Sequence, residues 1–534
     1  MKNYLLIFMV ICWFSIFFSA NAQERDILDK HPKSEFGEIS DVLPPVFKGS
    51  NNNSKMSNPP LDANWINTFG GDGADYGNDV VSDASGNVYV AGAFSGDITI
   101  SGTPLTGVGY YDMFLAKFNS SGVLQWVRTG FCGQYENTTA WSLALDDAGN
   151  IYTCGSFSGT TANFPSGEID HFITKTVNTD VFVVKYNSSG DVVSYFGYGE
   201  PGTYRIGIKI ASDAGGNAYV IVTTTGSSSP VAIGKLLKFD AAGTFQWERS
   251  SGNSYADVVV KGADLYLGGT IWGGETFDAT VLDPLGTGDA FIAKGDLNGA
   301  FVWAQMANQT SENNKWSQGL EISVDNNQNV AIGGYHYGDL VWGNVTLTGS
   351  TLSSSGYRNN FVAVFNANGD FQWAKNTNAI YGDTFRDLFF DSSGNVYLGG
   401  YANNNTVEAG FLTLNNAFDY IVKYNPAGFE QNIFATTFAK NCTSNASDKI
   451  IQTYSNADGS VYLVQNAADM AFQEWSVACT GNSGTAIIYD MTSDALGNIY
   501  IVANTKFAQA ALNNTIGDFV ARFEIGRASC RERV

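Results

Sequence analysis

Aspartate recurs at one position of a repeated turn motif, and regularly spaced carboxylates could in principle bind calcium. The motif reads Asp-x-x-Gly-Asn-x-Tyr in its best copies, and its aspartates are Asp83, Asp146, Asp213, Asp325, Asp391 and Asp494. Calcium needs about six to eight oxygen ligands around one point, which one carboxylate per distant hairpin does not supply. An aspartate at the start of such a turn instead accepts hydrogen bonds from its own backbone. We therefore predict turn capping and no cofactor, with calcium at Asp72 and Asp75 as the weaker alternative.

Histidine is too scarce for a metal centre or a catalytic relay. The chain has three histidines. His171 and His336 fall in different repeats, and His31 lies in a polar N-terminal stretch. Neither a His-Glu-x-x-His zinc motif nor a Gly-x-Ser-x-Gly nucleophile elbow occurs in the sequence, so we predict no catalytic residue and no metal ligand. A carboxylate pair for glycoside hydrolysis stays open, because the distance between the two groups decides that chemistry.

Aromatic residues outside the repeated positions are candidates for ligand contact. They follow the second strand of two repeats, where the units differ most, and they are Trp272, Tyr335, His336, Tyr337 and Trp342. Exposed rings there could stack on sugars or anchor a protein partner, and ordinary packing is the alternative. Four tryptophans instead recur at one position of the repeat, which predicts core packing: Trp126, Trp247, Trp303 and Trp373.

Four cysteines remain once Cys12 and Cys530, which lie in the end segments described below, are set aside. They are Cys132, Cys154, Cys442 and Cys479. An even set in an exported chain favours disulfides. We predict that Cys442 pairs with Cys479. For Cys132 and Cys154, a disulfide and two free buried thiols are equally open.

The turn motif belongs to a repeat of about 65 residues that organises nearly the whole chain. In its best copy, four strands are predicted at 78–82, 87–94, 112–119 and 123–128. The turns between them begin with Asp or Asn, which cap their own backbone, and contain a glycine that adopts positive φ. Four short strands joined in this way predict an antiparallel meander.

Apolar residues occupy both faces of the second and third strands, so each sheet must be covered on both sides. Stacked meanders provide that cover. A glycine that recurs after the second strand is predicted to let neighbouring sheets approach closely. These glycines are Gly92, Gly155, Gly269, Gly334 and Gly400.

The first and last strands predict how the stack ends. Residues 64–68 match a fourth strand yet precede the first repeat, and the last repeat stops at a third strand that ends at Phe523. We therefore predict an all-β fold: a β-propeller of seven or eight four-stranded antiparallel blades, its ring closed by the N-terminal strand. The repeat with its second strand after Asp458 lacks a good fourth strand, which leaves the blade number open.

The motifs Asp-x-x-Gly-Asn-x-Tyr-x-x-Gly and Asp-x-Phe-x-x-Lys resemble those of SBBP-type β-propeller repeat proteins, which are secreted bacterial proteins. The resemblance covers residues 64–523. It implies an extracellular propeller attached to other modules, or to a C-terminal sorting domain of the type IX kind found in Bacteroidota. The family has no common reaction, so the resemblance implies no activity.

The two ends predict segments outside the repeats. A lysine, an apolar run and an Ala-x-Ala site predict a secretory signal peptide at 1–22, followed by a flexible polar leader at 23–61. The propeller is predicted at 62–523. Residues 524–534 resemble a translated sequencing-adapter read-through and predict a non-native tail after a truncated domain, with a natural basic tail as the alternative.

The net charge and hydropathy of the chain limit the kinds of partner that it can bind. The formal net charge of −22 argues against nucleic acid, whose phosphates require basic patches, and suits a soluble monomer. After the signal peptide, no run is apolar enough to span a bilayer.

The favoured hypothesis is a secreted or cell-surface propeller that binds an unknown protein or glycan and is not an enzyme. The alternatives are an extracellular propeller enzyme acting on polysaccharide, and a module of a larger adhesin whose type IX sorting domain was lost by truncation. Carboxylates converging in a central channel would favour the enzyme. A neutral channel with aromatic residues on one rim would favour binding.

Overall fold

The computed structural model describes most of the chain between residues 65 and 523. The described ranges are 65–71, 73–175, 179–199, 203–226, 233–250, 252–285, 288–309, 316–349, 358–379, 382–402, 406–415, 419–436, 442–444, 450–455, 461–466, 473–479, 486–493, 499–505 and 517–523. The predicted signal peptide, leader and C-terminal tail lie outside these ranges and stay predictions. No helix that could cross a membrane occurs within them.

Every regular element in the described ranges is a β-strand. The N-terminal strand and the first repeat contain β1 (Trp65–Gly71), β2 (Tyr76–Ser82), β3 (Val88–Phe94), β4 (Ile98–Ile100), β5 (Thr103–Leu105), β6 (Asp112–Phe118) and β7 (Leu124–Gly130). The second repeat contains β8 (Thr138–Leu145), β9 (Ile151–Phe157), β10 (Thr161–Asn163), β11 (Phe172–Thr174), β12 (Asp180–Tyr186) and β13 (Val192–Tyr198). The third contains β14 (Thr203–Ser212), β15 (Ala218–Gly226), β16 (Ile233–Phe239) and β17 (Phe245–Ser250). The fourth contains β18 (Ser254–Lys261), β19 (Asp264–Ile271), β20 (Glu275–Phe277), β21 (Thr280–Leu282), β22 (Asp289–Asp296) and β23 (Phe301–Met306).

The second half continues the pattern. The fifth repeat contains β24 (Asn308–Gln309), β25 (Trp316–Val324), β26 (Val330–Tyr337), β27 (Leu340–Trp342), β28 (Val345–Leu347), β29 (Asn359–Phe365) and β30 (Phe371–Ala379). The sixth contains β31 (Asp383–Phe390), β32 (Val396–Ala402), β33 (Thr406–Ala409), β34 (Leu412–Asn415), β35 (Asp419–Tyr424) and β36 (Glu430–Thr436). The last two contain β37 (Cys442–Ser444), β38 (Ile450–Ser455), β39 (Val461–Asn466), β40 (Gln473–Cys479), β41 (Ala486–Ser493), β42 (Ile499–Thr505) and β43 (Gly517–Phe523).

The long strands form antiparallel four-stranded meanders, as the repeat predicts. Their strand orders are β2-β3-β6-β7, β8-β9-β12-β13, β14-β15-β16-β17, β18-β19-β22-β23, β25-β26-β29-β30, β31-β32-β35-β36, β37-β38-β39-β40 and β41-β42-β43-β1. The prediction of an all-β chain of repeated four-stranded sheets is therefore confirmed. In the last sheet β1 pairs with β43, with Trp65 opposite Arg522 and Phe69 opposite Asp518.

The first strand of each sheet is named here its inner strand. Each inner strand contacts the inner strand of the next sheet along the chain, and β41 of the last sheet contacts β2 of the first.

The two ends of each sheet also differ. Short turns join first to second and third to fourth strands at one end, whereas the longer connections emerge at the other, which is named the loop face.

The recurrent glycine makes room for the inner strand of its own sheet. A Cβ on Gly92 would lie 1.8 Å from the Tyr76 carbonyl oxygen of β2, and one on Gly334 would lie 1.8 Å from the Gln318 oxygen of β25. Both inner strands carry a β-bulge beside this contact. The glycine thus makes room for a bulged strand that pairs with it, and at Gly400 a Cβ would also lie 2.5 Å from Asn360 of the neighbouring sheet, as expected for close approach of the sheets.

Small hairpins between the second and third strands extend two of the sheets. Strand β4 pairs with β1, and β33 pairs with β30. In both cases the hairpin covers the outer edge of the preceding sheet. A covered edge cannot pair with another chain, so this arrangement opposes aggregation.

The seventh sheet is assembled differently from the prediction. Val461–Asn466 was expected as a second strand, but β39 is third in the order β37-β38-β39-β40. The sheet reaches four strands because β37, which precedes the repeat, adds to its inner side. A missing fourth strand is therefore replaced at the opposite edge.

Candidate functional site

The carboxylate of the repeated aspartate accepts hydrogen bonds from the residues of its own turn. The Oδ1 atom of Asp83 accepts hydrogen bonds from the backbone N–H groups of Ser85 and Asn87, each 2.9 Å away. Its Oδ2 atom accepts from Asn87 Nδ2 at 2.8 Å and from the Tyr89 hydroxyl at 3.2 Å. Asp146 and Asp391 make the same set of bonds. The prediction of turn capping is confirmed at the described aspartates, and Asp494 lies outside the described residues.

The lysine and tyrosine of the motif are also used within the scaffold. A lysine from the third strand lies over the tyrosine ring of the second strand at 4.9 to 5.5 Å. These pairs are Lys117–Tyr89, Lys185–Tyr152, Lys238–Tyr219, Lys294–Tyr266 and Lys423–Tyr397. Such cation–π contacts stabilise the sheet, so these repeated residues are accounted for without a ligand.

The recurrent tryptophans join each sheet to the next. The indole N–H of Trp303 donates to the Ala367 carbonyl at 3.2 Å, and that of Trp373 donates to the Pro426 carbonyl at 3.0 Å. Both rings are buried, as predicted. Trp126 makes the same bond to Ser188 at 3.1 Å with a partly exposed ring.

Of the two aspartates of the calcium alternative, the structure describes Asp75. Asp75 is buried and accepts hydrogen bonds from the backbone N–H groups of Gly71 and Ser95. Asp72 lies outside the described residues. Within the described residues, no three His, Cys, Asp or Glu side chains are placed to hold a metal ion.

Two histidines have ordinary structural partners. His171 Nε2 lies 3.1 Å from the Ser166 hydroxyl, and its ring packs edge-on against Tyr195. His336 is fully buried, with Nδ1 2.7 Å from the Gly338 carbonyl. Burial lowers the pKa of His336 to about 4. This imidazole is therefore neutral at neutral pH.

Polar side chains at one position of the inner strands converge, and they are not among the candidates that the sequence motifs suggest. They directly follow the bulge in each strand and are Asp79, Ser142, Lys209, Asp257, Glu321, Asp387 and Asp490. The charge on Lys209 interacts with Asp79, Asp257, Glu321 and Asp490, which belong to four other sheets. These side chains therefore face a common space. A charged or polar residue just before an apolar one, at the same place in seven of the first strands, was the signal that could have revealed them.

The inner carboxylates bind backbone groups of the next sheet. Asp79 Oδ2 accepts from the Leu143 N–H at 2.7 Å, and Asp257 Oδ2 accepts from the Ile322 N–H at 3.0 Å. The Lys209 ammonium lies 3.7 Å from Asp257. Carboxylates that face a common space are the feature expected of the enzyme alternative. The bonds described here nevertheless give these carboxylates a structural role, because they join neighbouring sheets.

Crowding alters the protonation of this cluster. Burial raises the pKa of Glu321 well above its usual range, and the charges of Asp387 and Asp257 raise it further, against the opposing effect of Lys209. Burial also raises the pKa of Asp490, together with the charge of Asp79 and a hydrogen bond to it. Protons are therefore held among these carboxyls to a higher pH than on isolated side chains.

The candidate aromatic contacts divide into two groups. Trp272, Tyr335 and Tyr337 meet around Trp316, whose ring centroid lies 6.5, 5.3 and 4.6 Å from theirs. The guanidinium of Arg358 lies 4.6 Å over Tyr335. These residues occupy strand ends and connections at the loop face, and Trp272, Trp316 and Tyr337 are partly exposed. This group is named the tryptophan cluster.

The other two candidates lie in the core. Trp342 is 1% exposed and packs against Phe361 and Phe365, with ring centroids 6.0 and 5.5 Å away. His336, which is also buried, packs edge-on against Phe361. A side chain without exposed surface does not contact a ligand in this conformation, so ordinary packing accounts for both residues, and Tyr335 of the tryptophan cluster is likewise buried.

The four cysteines fall into two pairs, of which the structure describes the side chains of only one. Cys132 and Cys154 are free and buried, which is the thiol alternative. The side chains of Cys442 and Cys479 lie outside the described part, but their strands β37 and β40 are opposite edges of one sheet. Three strand spacings of about 4.8 Å exceed the Cα separation of about 7 Å that a disulfide spans. The predicted pairing is untested at the side chains, and the strand order disfavours it.

No protein-family model matches the chain. The regulatory protein FlaEY of Caulobacter vibrioides is 24% identical over 372 residues, which are 61% of this chain and 36% of that protein. The chain thus spans about a third of that relative's length. Among solved structures, Sqt1 from Chaetomium thermophilum has a TM-score of 0.45 at 9% identity, covering 87% of this chain and all of its own. The Dos1 propeller has a TM-score of 0.42 at 10% identity, covering 87% and 96%.

The assignment of the fold rests on the chain's own repeated sheets. Each is a four-stranded antiparallel meander whose inner strand contacts the next. The chain is an all-β repeat protein whose sheets are arranged as in a β-propeller. The loop face and the inner carboxylates are the two features outside the repeated scaffold contacts that could serve a function.

Proposed function

We propose that the protein is a secreted or cell-surface β-propeller that binds a protein or glycan ligand through its loop face. The tryptophan cluster carries this proposal. Its rings Trp272, Trp316 and Tyr337 are partly exposed together at the loop face, whereas the repeated motif residues are occupied by the scaffold. Clustered aromatic side chains supply most of the binding energy in many interfaces.

The proposed architecture is a closed ring of eight blades. It is supported by the antiparallel pairing of β1 with β43 and by the contact between β41 and β2. In a closed ring, the backbone amides of β1 and β43 exchange slowly with deuterium and at similar rates. Rapid exchange of β1 alone would contradict closure.

Binding is tested with the full chain and a panel of neutral polysaccharides and purified extracellular proteins. Trp272→Ala and Trp316→Ala are expected to weaken binding of the recognised ligand by about tenfold or more, since buried aromatic anchors dominate interfaces. Phe429→Ala is the matched control, because Phe429 is 64% exposed in a turn away from the loop face. Equal binding by all three variants would overturn the proposal.

Export is a separate part of the proposal. It is supported by the signal-peptide pattern at 1–22. Cell fractionation should find the protein outside the cytoplasm with Gln23 as its first residue. A long read of the locus beyond the Phe523 codon tests the adhesin alternative, which requires the reading frame to continue into a further domain.

The inner carboxylates favour a second candidate, a propeller enzyme acting on polysaccharide. Glu321 has a raised pKa, as a general acid requires, and Asp257 and Asp387 supply neighbouring negative charge. Release of reducing sugars from a polysaccharide, abolished by Glu321→Gln in a folded protein, would establish the enzyme. A binding module releases none.

A further inference from the structure

A second aromatic cluster lies at the loop face, between the first two sheets. Tyr76 begins β2, and Tyr110 and Tyr111 precede β6. The ring centroid of Tyr111 lies 6.0 Å from that of Tyr76 and 6.3 Å from that of Tyr110. Tyr135 belongs to the connection between β7 and β8, and the carbonyl of the next residue, Glu136, accepts a hydrogen bond from the Tyr110 N–H at 2.7 Å. These four tyrosines are named the tyrosine cluster.

The tyrosine cluster is far more exposed than core packing requires. Tyr76 is 38% exposed, Tyr110 60% and Tyr135 75%. Large aromatic residues that cluster at a surface are typical of binding sites, because their rings bury much area with few rotatable bonds. None of these tyrosines belongs to the repeated Asp-x-x-Gly-Asn-x-Tyr motif.

The backbone holds Tyr135 in a conformation that residues with side chains seldom adopt. Its φ is +70°, in the left-handed region that glycine favours. Such strain persists where the surrounding structure enforces it, and it concentrates at functional sites. The most exposed ring of the cluster is therefore presented at a conformational cost.

The connection that carries Tyr135 is well anchored. The Ser158 hydroxyl donates to Glu136 Oε2 and accepts from the Asn137 N–H, at 2.7 and 2.8 Å. The Thr138 N–H donates to the Tyr111 carbonyl at 2.8 Å. A site that is already ordered loses little entropy on binding.

One carboxylate lies at the surface beside the rings. Glu136 follows Tyr135 and is partly exposed, whereas Asp75 and Asp112 are buried and accept hydrogen bonds from backbone N–H groups. Lys175 donates to the carbonyl of Ser158, whose hydroxyl donates to Glu136. Aromatic faces and carboxylates both attract cations, and the whole chain carries a net charge of −22.

We propose that the tyrosine cluster binds lysine or arginine side chains of a basic protein segment, with Tyr110 and Tyr135 contacting the cation and Glu136 beside them. This inference rests on the proposed binding function but concerns a different site from the tryptophan cluster. The rings supply cation–π contacts, and the acidic surface attracts the segment from a distance.

The test uses the full chain and tetralysine, tetraarginine and tetraglutamate peptides, with affinities measured by isothermal titration calorimetry. The basic peptides should bind and tetraglutamate should not. Tyr135→Ala and Tyr110→Ala should each weaken binding about two- to fivefold, the range for an exposed cation–π contact. Tyr135→Phe keeps the ring face and should bind as the wild type does.

Two control variants test whether peptide binding is specific to the tyrosine cluster. One tests for nonspecific binding to exposed rings, and the other tests for binding at the tryptophan cluster. Phe245→Ala removes an exposed ring on β17 and should leave peptide affinity unchanged. Trp272→Ala should also leave it unchanged, so loss of ligand binding in that variant alone concerns only the tryptophan cluster. If both tyrosine-to-alanine variants, shown to be folded by circular dichroism, bind basic peptides as tightly as the wild type, the inference is wrong. Equal binding of tetraglutamate would also overturn it.

Discussion

The carboxylate of Asp490 accepts a hydrogen bond from the backbone N–H of Val80 at 3.0 Å, although the two residues lie 410 positions apart. The same position of the first sheet, Asp79, binds Leu143 of the second sheet in the same way. The carboxylate that follows the inner-strand bulge thus hydrogen-bonds to the backbone of the next sheet. Through the Asp490 bond, the last sheet contacts the first in the way that the first contacts the second.

Asp490→Asn should flatten the pH dependence of stability. Burial and then Asp79 raise the pKa of Asp490, so the folded protein binds a proton that the unfolded chain has released. Stability is therefore greatest at low pH within this window and falls as pH rises from the unfolded pKa of about 3.8 toward the raised folded value. Urea unfolding across pH measures this slope. A variant with the wild-type slope would contradict it.

Asp383→Asn should remove a second, separable part of that dependence. Burial raises the pKa of Asp383 to about 7, although the Thr377 hydroxyl donates to it at 2.7 Å. A shift of about three units corresponds to at most roughly 4 kcal/mol of stability, lost as pH rises from about 4 to about 7. Unfolding free energies of the wild type and the variant should converge at low pH. Parallel curves would rule this out.

Gly92→Ala should destabilise the first sheet strongly. Its Cβ would lie 1.8 Å from the Tyr76 carbonyl oxygen, and relieving such an overlap costs about 3 kcal/mol or more. Gly252→Ala is the control, because no atom lies within 4 Å of its Cβ position. Thermal unfolding compares the two variants, and similar melting temperatures would refute the bulge explanation.

Asp391→Ala should destabilise the sixth sheet. The substitution leaves the backbone N–H groups of Ser393 and Asn395 without the acceptor that now lies 3.0 and 2.8 Å away. Losing a buried acceptor costs about 1–3 kcal/mol. Asp391→Asn retains an oxygen at this position and should recover part of the loss in urea unfolding. No difference between Ala and Asn would count against capping.

Tyr135→Gly should stabilise the fold while weakening binding of basic peptides. Glycine adopts the positive φ of 70° without steric cost, which is worth about 1 kcal/mol. Melting temperature and peptide affinity are measured on the same preparation. A lower melting temperature would show that the Tyr135 ring supports the fold and is not held there for a ligand.

Much of the scaffold was predictable because its signals are local. The Asp83 turn, the alternation of strands and the position of Trp373 each depend on neighbours within one repeat or on one repeated contact. The loop-face residues Trp272 and Tyr337 were found because they break the repeat. Trp342 also breaks it yet is buried, since a hairpin strand folds it against Phe361, which no local pattern reveals.

The sequence alone determined the all-β class, the repeated four-stranded unit and the acidic character of the surface, because turn chemistry, strand alternation and charge are properties of short segments. Only the tertiary structure decided that Asp79, Lys209 and Asp490 face one space, and that Tyr76, Tyr111 and the segment of Tyr135 share one corner. Those groupings depend on which sheets contact one another, and the inner-strand bonds that set them join residues 64 positions apart between the first two sheets and 410 positions apart between the last sheet and the first.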